Sequence, residues 1–209
     1  MSYIISPPEE TALQAHLQKL RTQLHEDPEL SWQEHRTTRL VRRELEALCL
    51  EPVPLGLPTG TAALLRGALP GPTVGLRADL DALPITERTG AEFSSRVPGV
   101  MHACGHDIHM AALLGAARLL AERREQLAGN VLFLFQPAEE AATGAMQVLE
   151  QGLFRRVPMA GMLALHVWPG LAQGQLGIRS GAILSAVDSF EITVTGRGGH
   201  GSAPERACN

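Results

Sequence analysis

The chain has 209 residues, 44% of them hydrophobic, a net charge of −4 and three cysteines. That length supports one or two domains with a real core. The mildly acidic balance, with arginines doubled only at isolated places (Arg42-Arg43, Arg123-Arg124, Arg155-Arg156), argues against a nucleic-acid or membrane partner.

Cys49, Cys104 and Cys208 are odd in number and widely spaced, which points away from a disulfide framework and towards a reducing compartment. The first ten residues lack a basic stretch followed by an apolar core, and no apolar run approaches the roughly 20 residues of a membrane span. A cytoplasmic protein is expected.

In chain order, residues 9–26 place Leu13, Leu17, Leu20 and Leu24 at helical spacing, predicting an amphipathic helix that Pro28 stops. Residues 34–48, with Leu40, Val41, Leu45 and Leu48, predict a second helix. The Pro- and Gly-rich run 52–60 reads as a loop. Residues 61–66 and 73–78 read as short strands joined by the turn 67–72, and the second empties into Asp79-Leu-Asp81.

Residues 107–126 are helical in pattern, with Asp107 near the N-cap and Gly129-Asn130 as the stop. Val131-Leu-Phe-Leu-Phe135 is apolar at every position, as in a strand covered on both faces, and runs into Gln136-Pro-Ala-Glu-Glu140. A short helix over 144–151 precedes a second buried strand, 161–165, which delivers His166. Three strands therefore each end on ionisable residues, and in open α/β sheets the ligand crevice lies outside the carboxyl ends of the strands. Residues 176–179 are strand-like, and 187–195 alternate apolar and polar, as in a half-exposed strand of an α+β domain starting near Ala186. One strand cannot make a domain, so the sequence is expected to stop inside that second domain.

The chemistry concentrates in Gly99-Val-Met-His-Ala-Cys-Gly-His-Asp107, where His102, Cys104, His106 and Asp107 crowd around the turn-making Gly105. Cys104, His106, Glu140 and His166 form a mixed S/N/O set large enough for two divalent ions if a further group bridges them. Such a pair lowers the pKa of a shared water and polarises a carbonyl, which is hydrolytic chemistry. Adjacent glutamates can divide the labour, Glu140 holding metal and Glu139 acting as general base. Asp79 and Asp81 share one side of an extended segment. Either can orient a ligand or bridge metals, but Asp79 equally suits capping the following turn, and Asp81 is the better site candidate.

His109 reads as a surface residue and His102 as a loop support. Gly196-Arg-Gly-Gly-His-Gly201 matches G-x-G-x-x-G literally, yet Ser202-Ala-Pro204 makes a poor helix start, so a dinucleotide site is rejected. The turn better serves to project His200 towards a carbonyl oxygen as charge develops.

These segments, together with Leu24-His-Glu-Asp-Pro-Glu-Leu-Ser31, Arg77-Ala-Asp-Leu-Asp-Ala-Leu-Pro-Ile85 and Leu165-His-Val167, resemble the successive motifs of the M20 metallopeptidase family in its amidohydrolase branch. That branch includes hippurate hydrolases, N-acyl-amino-acid amidohydrolases, N-acetyl-diaminopimelate deacetylases and auxin-conjugate hydrolases. The resemblance covers nearly the whole chain and implies an α/β fold with a mixed, largely buried sheet flanked by helices, like a zinc exopeptidase. It implies a catalytic domain over 1–185 and the beginning of an α+β lid and dimerisation domain over 186–209.

It further implies two divalent ions (Zn, Mn, Co or Ni) on Cys104, His106, Glu140 and His166, with Glu139 as general base. Asp81 would be a catalytic carboxylate behind the ligands, and His200 would contact substrate from the lid, often across a homodimer. The substrate would be a small N-acyl amino acid. The family continues with the rest of the lid and another histidine ligand, so an isolated chain of this length is expected to be poorly soluble or to self-associate. Two other readings stand beside the amidohydrolase: a non-catalytic metal-binding module, and a cysteine hydrolase with Cys104 as nucleophile and His106 as base. In the last, two residues within one tight turn are awkwardly placed to act as such a pair.

Overall fold

A computed structural model of the chain describes residues 7–184, 186 and 190–208; the alternation expected over 187–189 lies outside them. The chain divides into two compact units, Met1–Val167 and Trp168–Asn209. The first unit carries α1 (Pro7–Glu26), α2 (His35–Ala47), β1 (Glu51–Val53), β2 (Thr61–Arg66), β3 (Leu69–Asp79), α3 (His106–Ala121), β4 (Ala128–Gln136), α4 (Gly144–Glu150), α5 (Leu153–Arg156) and β5 (Gly161–Ala164). A short 3-10 helix, Arg124–Gln126, continues from α3 in place of the longer helix expected.

The five strands form one mixed sheet in the order β1-β2-β4-β3-β5. β1, β2 and β4 pair antiparallel, whereas β4, β3 and β5 are parallel. The α/β fold with a mixed sheet flanked by helices is thus present. Alternation along β2 and β4 divides their side chains between two cores. Ala63, Leu65, Val131, Phe133 and Phe135 pack with Leu20, Leu24, Val41, Leu45, Met110 and Leu114 of the three long helices. Ala62, Leu64, Leu132 and Leu134 face the other way, against Leu55, Val148 and Leu153. This double burial is why β4 is apolar at consecutive positions.

Several boundaries differ from expectation. Residues 51–53, read as loop, pair with β2 as an edge strand, where Pro52 is tolerated because an edge has one side without ladder bonds. The turn expected over 67–72 is partly absorbed into β3, whose register against β4 shifts between Leu69 and Thr73. Gly129 and Asn130, expected to stop the helix, lie inside β4. β5, expected to be buried, is an exposed edge strand, with Leu163 64% accessible. A short apolar run looks the same at the centre and at the edge of a sheet. In the second unit, neither 176–179 nor 190–195 is a strand; the regular features are a bridge from Arg197 to Cys208 and a 3-10 turn at Pro204–Arg206.

α1 is tied to the start of α3 by buried charge. The Arg21 Nε–H donates to Asp107 at 2.8 Å, and His25 places Nδ1 2.8 Å from Asp107 and Nε2 3.2 Å from Glu87. The hydrogen bond to Asp107, opposed by burial and supported by Glu87, raises the His25 pKa above its ordinary value. A group whose folded pKa is raised stabilises the fold below its unfolded pKa, and that contribution disappears as pH rises through the folded value. The stability advantage of the natural chain over His25→Gln should therefore be greatest below pH 6.5 and shrink towards pH 9. Urea midpoints across that range measure it, and a pH-independent margin would contradict the ion-pair account.

Candidate metal centre

β3, β4 and β5 run parallel and bring their carboxyl ends together. Asp79 ends β3, with Asp81 two residues on; Gln136 ends β4, ahead of Glu139 and Glu140; His166 follows β5. α3 opens on His106, entered through Gly105 in the left-handed region (φ +89). A Cβ at Gly105 would lie 2.6 Å from Val167 Cγ2, so glycine is required both for the turn and for the approach of the β5 exit.

The two candidate imidazole ligands have their orientation set from behind. Nδ1 of His106 lies 2.8 Å from the Asp81 carbonyl oxygen, and Nδ1 of His166 lies 2.7 Å from that of Val167. A carbonyl only accepts, so both Nδ1 atoms carry hydrogen and both Nε2 atoms present lone pairs to the site when the rings are neutral. Nε2 of His166 meets Cys104 Sγ at 3.3 Å. Nε2 of His106 is buried without a hydrogen-bond partner, 3.7 Å from Asp79, 3.7 Å from Glu140 and 3.9 Å from Glu139. Glu140 Oε1 is likewise buried and unpartnered.

The electrostatics call for positive charge. Burial, then the Glu140 carboxylate, push the Cys104 thiol up to about 12. Burial and the charge of Asp79 raise Glu139, against the pull of His106. Burial works to lower His106, but its bond to Asp81 and the surrounding carboxylates raise it. Buried polar atoms are normally paired, so orphaned nitrogen and oxygen atoms beside a thiol with a second imidazole fit a divalent cation. The ligand atoms fall into overlapping triads, each within 4.8 Å: Cys104, His106 and His166; His106, Glu139 and Glu140; Asp79, His106 and His109.

Asp81 is 1% exposed and faces inward, its Oδ2 accepting from the Ser31 hydroxyl at 2.7 Å and the Glu140 amide at 2.9 Å. Burial alone would raise its pKa, but these bonds and one from His106 lower it. Ser31 thus explains one residue of the Pro-Glu-Leu-Ser segment. Asp79 is held by His109 and Arg77 at 2.7 and 2.8 Å.

Two expectations are corrected. His109 is not a surface residue: it is 6% exposed, because its position three residues after His106 puts it on the same buried helix face, and its Nε2 accepts from the Val167 amide at 3.0 Å. Asp107 does not join the ligand cluster: it lies near the N-cap of α3 as expected, in the first turn after Gly105, and its carboxylate is engaged by Arg21 and His25. His102 is buried in the loop, with burial pushing its pKa down to about 4. His200 belongs to the other unit, its Nδ1 2.8 Å from Ser202 Oγ.

Residues 75–206 match the family described as peptidase family M20/M25/M40. The N-acetylcysteine deacetylase of Bacillus subtilis (strain 168) is 45% identical over 197 residues, covering 94% of this chain and 51% of that protein. An N-acyl-L-amino acid amidohydrolase of Geobacillus stearothermophilus is 42% identical over 189 residues, covering 89% and 50%. The crystal structure of a dinuclear metal-binding M20 peptidase from Bacillus subtilis aligns with a TM-score of 0.75 at 46% identity, over 78% of this chain and 45% of that one. The chain spans about half the length of these relatives.

Because His109 joins Asp79 to the Val167 amide, His109→Ala should cost about 1–3 kcal/mol of stability and speed hydrogen exchange at Val167. Unchanged exchange there would show that the ring does not hold the His166 segment.

Proposed function

The chain belongs to peptidase family M20/M25/M40, and from that membership we propose that it carries the metal centre of an amidohydrolase cleaving the amide bond of N-acyl amino acids. The observation that carries this reading is the convergence of Cys104, His106 and His166 with Glu139 and Glu140 around buried ligand atoms that have no partner. Cys104, His106, Glu140 and His166 would hold two divalent ions of the Zn, Mn, Co or Ni type. The chemistry such ions supply when bound is polarisation of the carbonyl and acidification of water towards neutrality.

The chain's own residues do the rest. Glu139, the more exposed of the adjacent glutamates, takes a proton from the attacking water as oxygen bonds to the carbonyl carbon, and returns it to the nitrogen as the C–N bond breaks. The carboxylic acid and the free amine leave, and the acid's remaining proton passes to the amine or to solvent. Asp81, closed off beneath the site, keeps the Glu140 amide and the His106 ring in place. In this reading His200 contacts the substrate carbonyl oxygen from a lid beginning at 186, and the whole enzyme pairs as a homodimer through that lid. The free cysteines Cys49, Cys104 and Cys208 support a reducing, cytoplasmic setting, and no helix among the described residues is long and apolar enough to cross a membrane.

A second reading is a metal-binding module without hydrolytic activity, because the same unpartnered ligand atoms would serve a site that holds an ion without turning substrate over. The two separate on one experiment. Loaded with Zn²⁺ or Mn²⁺, the chain is expected to hydrolyse N-acetyl amino acids, and Glu139→Gln to keep its metal while losing about 10²–10⁴-fold in rate. Full metal loading with no hydrolysis by either chain would favour the binding module instead.

A further inference from the structure

Glu34 is completely buried at the N-cap position of α2, yet its side chain makes no capping bond to its own helix. Both oxygens are engaged elsewhere. Oε2 accepts from the Thr59 hydroxyl at 2.7 Å, and Oε1 accepts from the backbone amide of Ala138, 104 residues on, at 2.8 Å. Ala138 is itself fully buried and has φ +50, a conformation that alanine rarely adopts and that the surroundings must hold. The same turn is gripped two peptides further along, where Asp81 accepts from the Glu140 amide. The Thr59 side of the contact is fixed as well: the Gly60 amide donates to Thr38 Oγ1 at 2.9 Å, and a Cβ at Gly60 would lie 2.6 Å from Pro137.

Two buried carboxylates thus hold alternate amides of residues 138–140, and between those amides lies Glu139. We propose that Glu34 is a positioning residue that fixes the left-handed turn at Ala138 and so sets the direction in which Glu139 and Glu140 face the metal centre. The proposal rests on the reading of those glutamates given above. It makes a distinction that a merely structural buried acid would not: geometry, not charge, is what matters. A glutamine at position 34 can still accept from the Ala138 amide through its carbonyl oxygen while its NH₂ donates to the Thr59 hydroxyl, which accepts as readily as it donates.

The test uses the whole chain with two readouts. Hydrogen exchange at residues 138–140 reads the turn directly, without metal or activity, and equilibrium dialysis against Zn²⁺ reads its consequence. Glu34→Ala should speed exchange at Ala138 by about tenfold or more and weaken Zn²⁺ binding by about 10–100-fold, with exchange in α3 unchanged; Glu34→Gln should restore both. Unchanged protection at Ala138 in Glu34→Ala, or a Glu34→Gln variant as impaired as Glu34→Ala, would overturn the proposal. Should Glu34→Ala fail to fold, Thr59→Val removes one of the two donors on Glu34 and should produce a smaller acceleration at Ala138; no acceleration would overturn the proposal. A natural chain that binds no Zn²⁺ would refute the metal reading, while the exchange data still decide whether Glu34 holds the turn.

Discussion

At the carboxyl ends of the three parallel strands, Asp79, Glu139 and Glu140 surround the Nε2 of His106 at 3.7 to 3.9 Å, with Cys104 close by. Three carboxylates around one buried ring, with Asp79 itself buried and Glu140 Oε1 shut off from water, are not readily all ionised without a balancing positive charge. The protein meets part of that demand with Arg77 on Asp79 and with raised pKa values on His106, Glu139 and Cys104. His106 Nε2 and Glu140 Oε1 are left without a partner, as is Asp81 Oδ1 behind them, and in the reading proposed above a bound cation would satisfy the first two.

The scaffold is built to hold that arrangement against its own repulsion. The orientation of each candidate imidazole is fixed by a main-chain carbonyl, the Val167 amide is tethered through His109 to Asp79, and the Glu140 amide is tethered to Asp81. These bonds connect the last turns of separate strands, so the sheet register determines the site geometry. The cores on both faces of β2 and β4 supply the rigidity on which this depends.

Much of this was legible in the residues. Ligand chemistry is carried by a few residue types at short spacing, so Cys104, His106, Glu139, Glu140 and His166 could be singled out without knowing the fold, and the apolar run of β4 predicted a doubly covered strand. The supporting bonds were not legible. His109, Ser31 and Glu34 act on partners 30, 50 and 104 residues away, and nothing local marks a histidine, serine or glutamate as reaching that far. The i+3 spacing from His106 was a usable signal for the burial of His109. The edge positions of β1 and β5 escaped for a related reason, since which strand lies outermost is decided by pairing and not by composition.

The measurement closest to the central claim is a Co²⁺ titration of this chain followed by absorption spectroscopy. A bound thiolate gives a ligand-to-metal charge-transfer band in the near ultraviolet. The account predicts that band in the natural chain, saturating at two ions per chain, and its absence in Cys104→Ala, in which the remaining ligands bind more weakly. Spectra and stoichiometry identical in the two chains would contradict the assignment of Cys104, and with it the metal centre described.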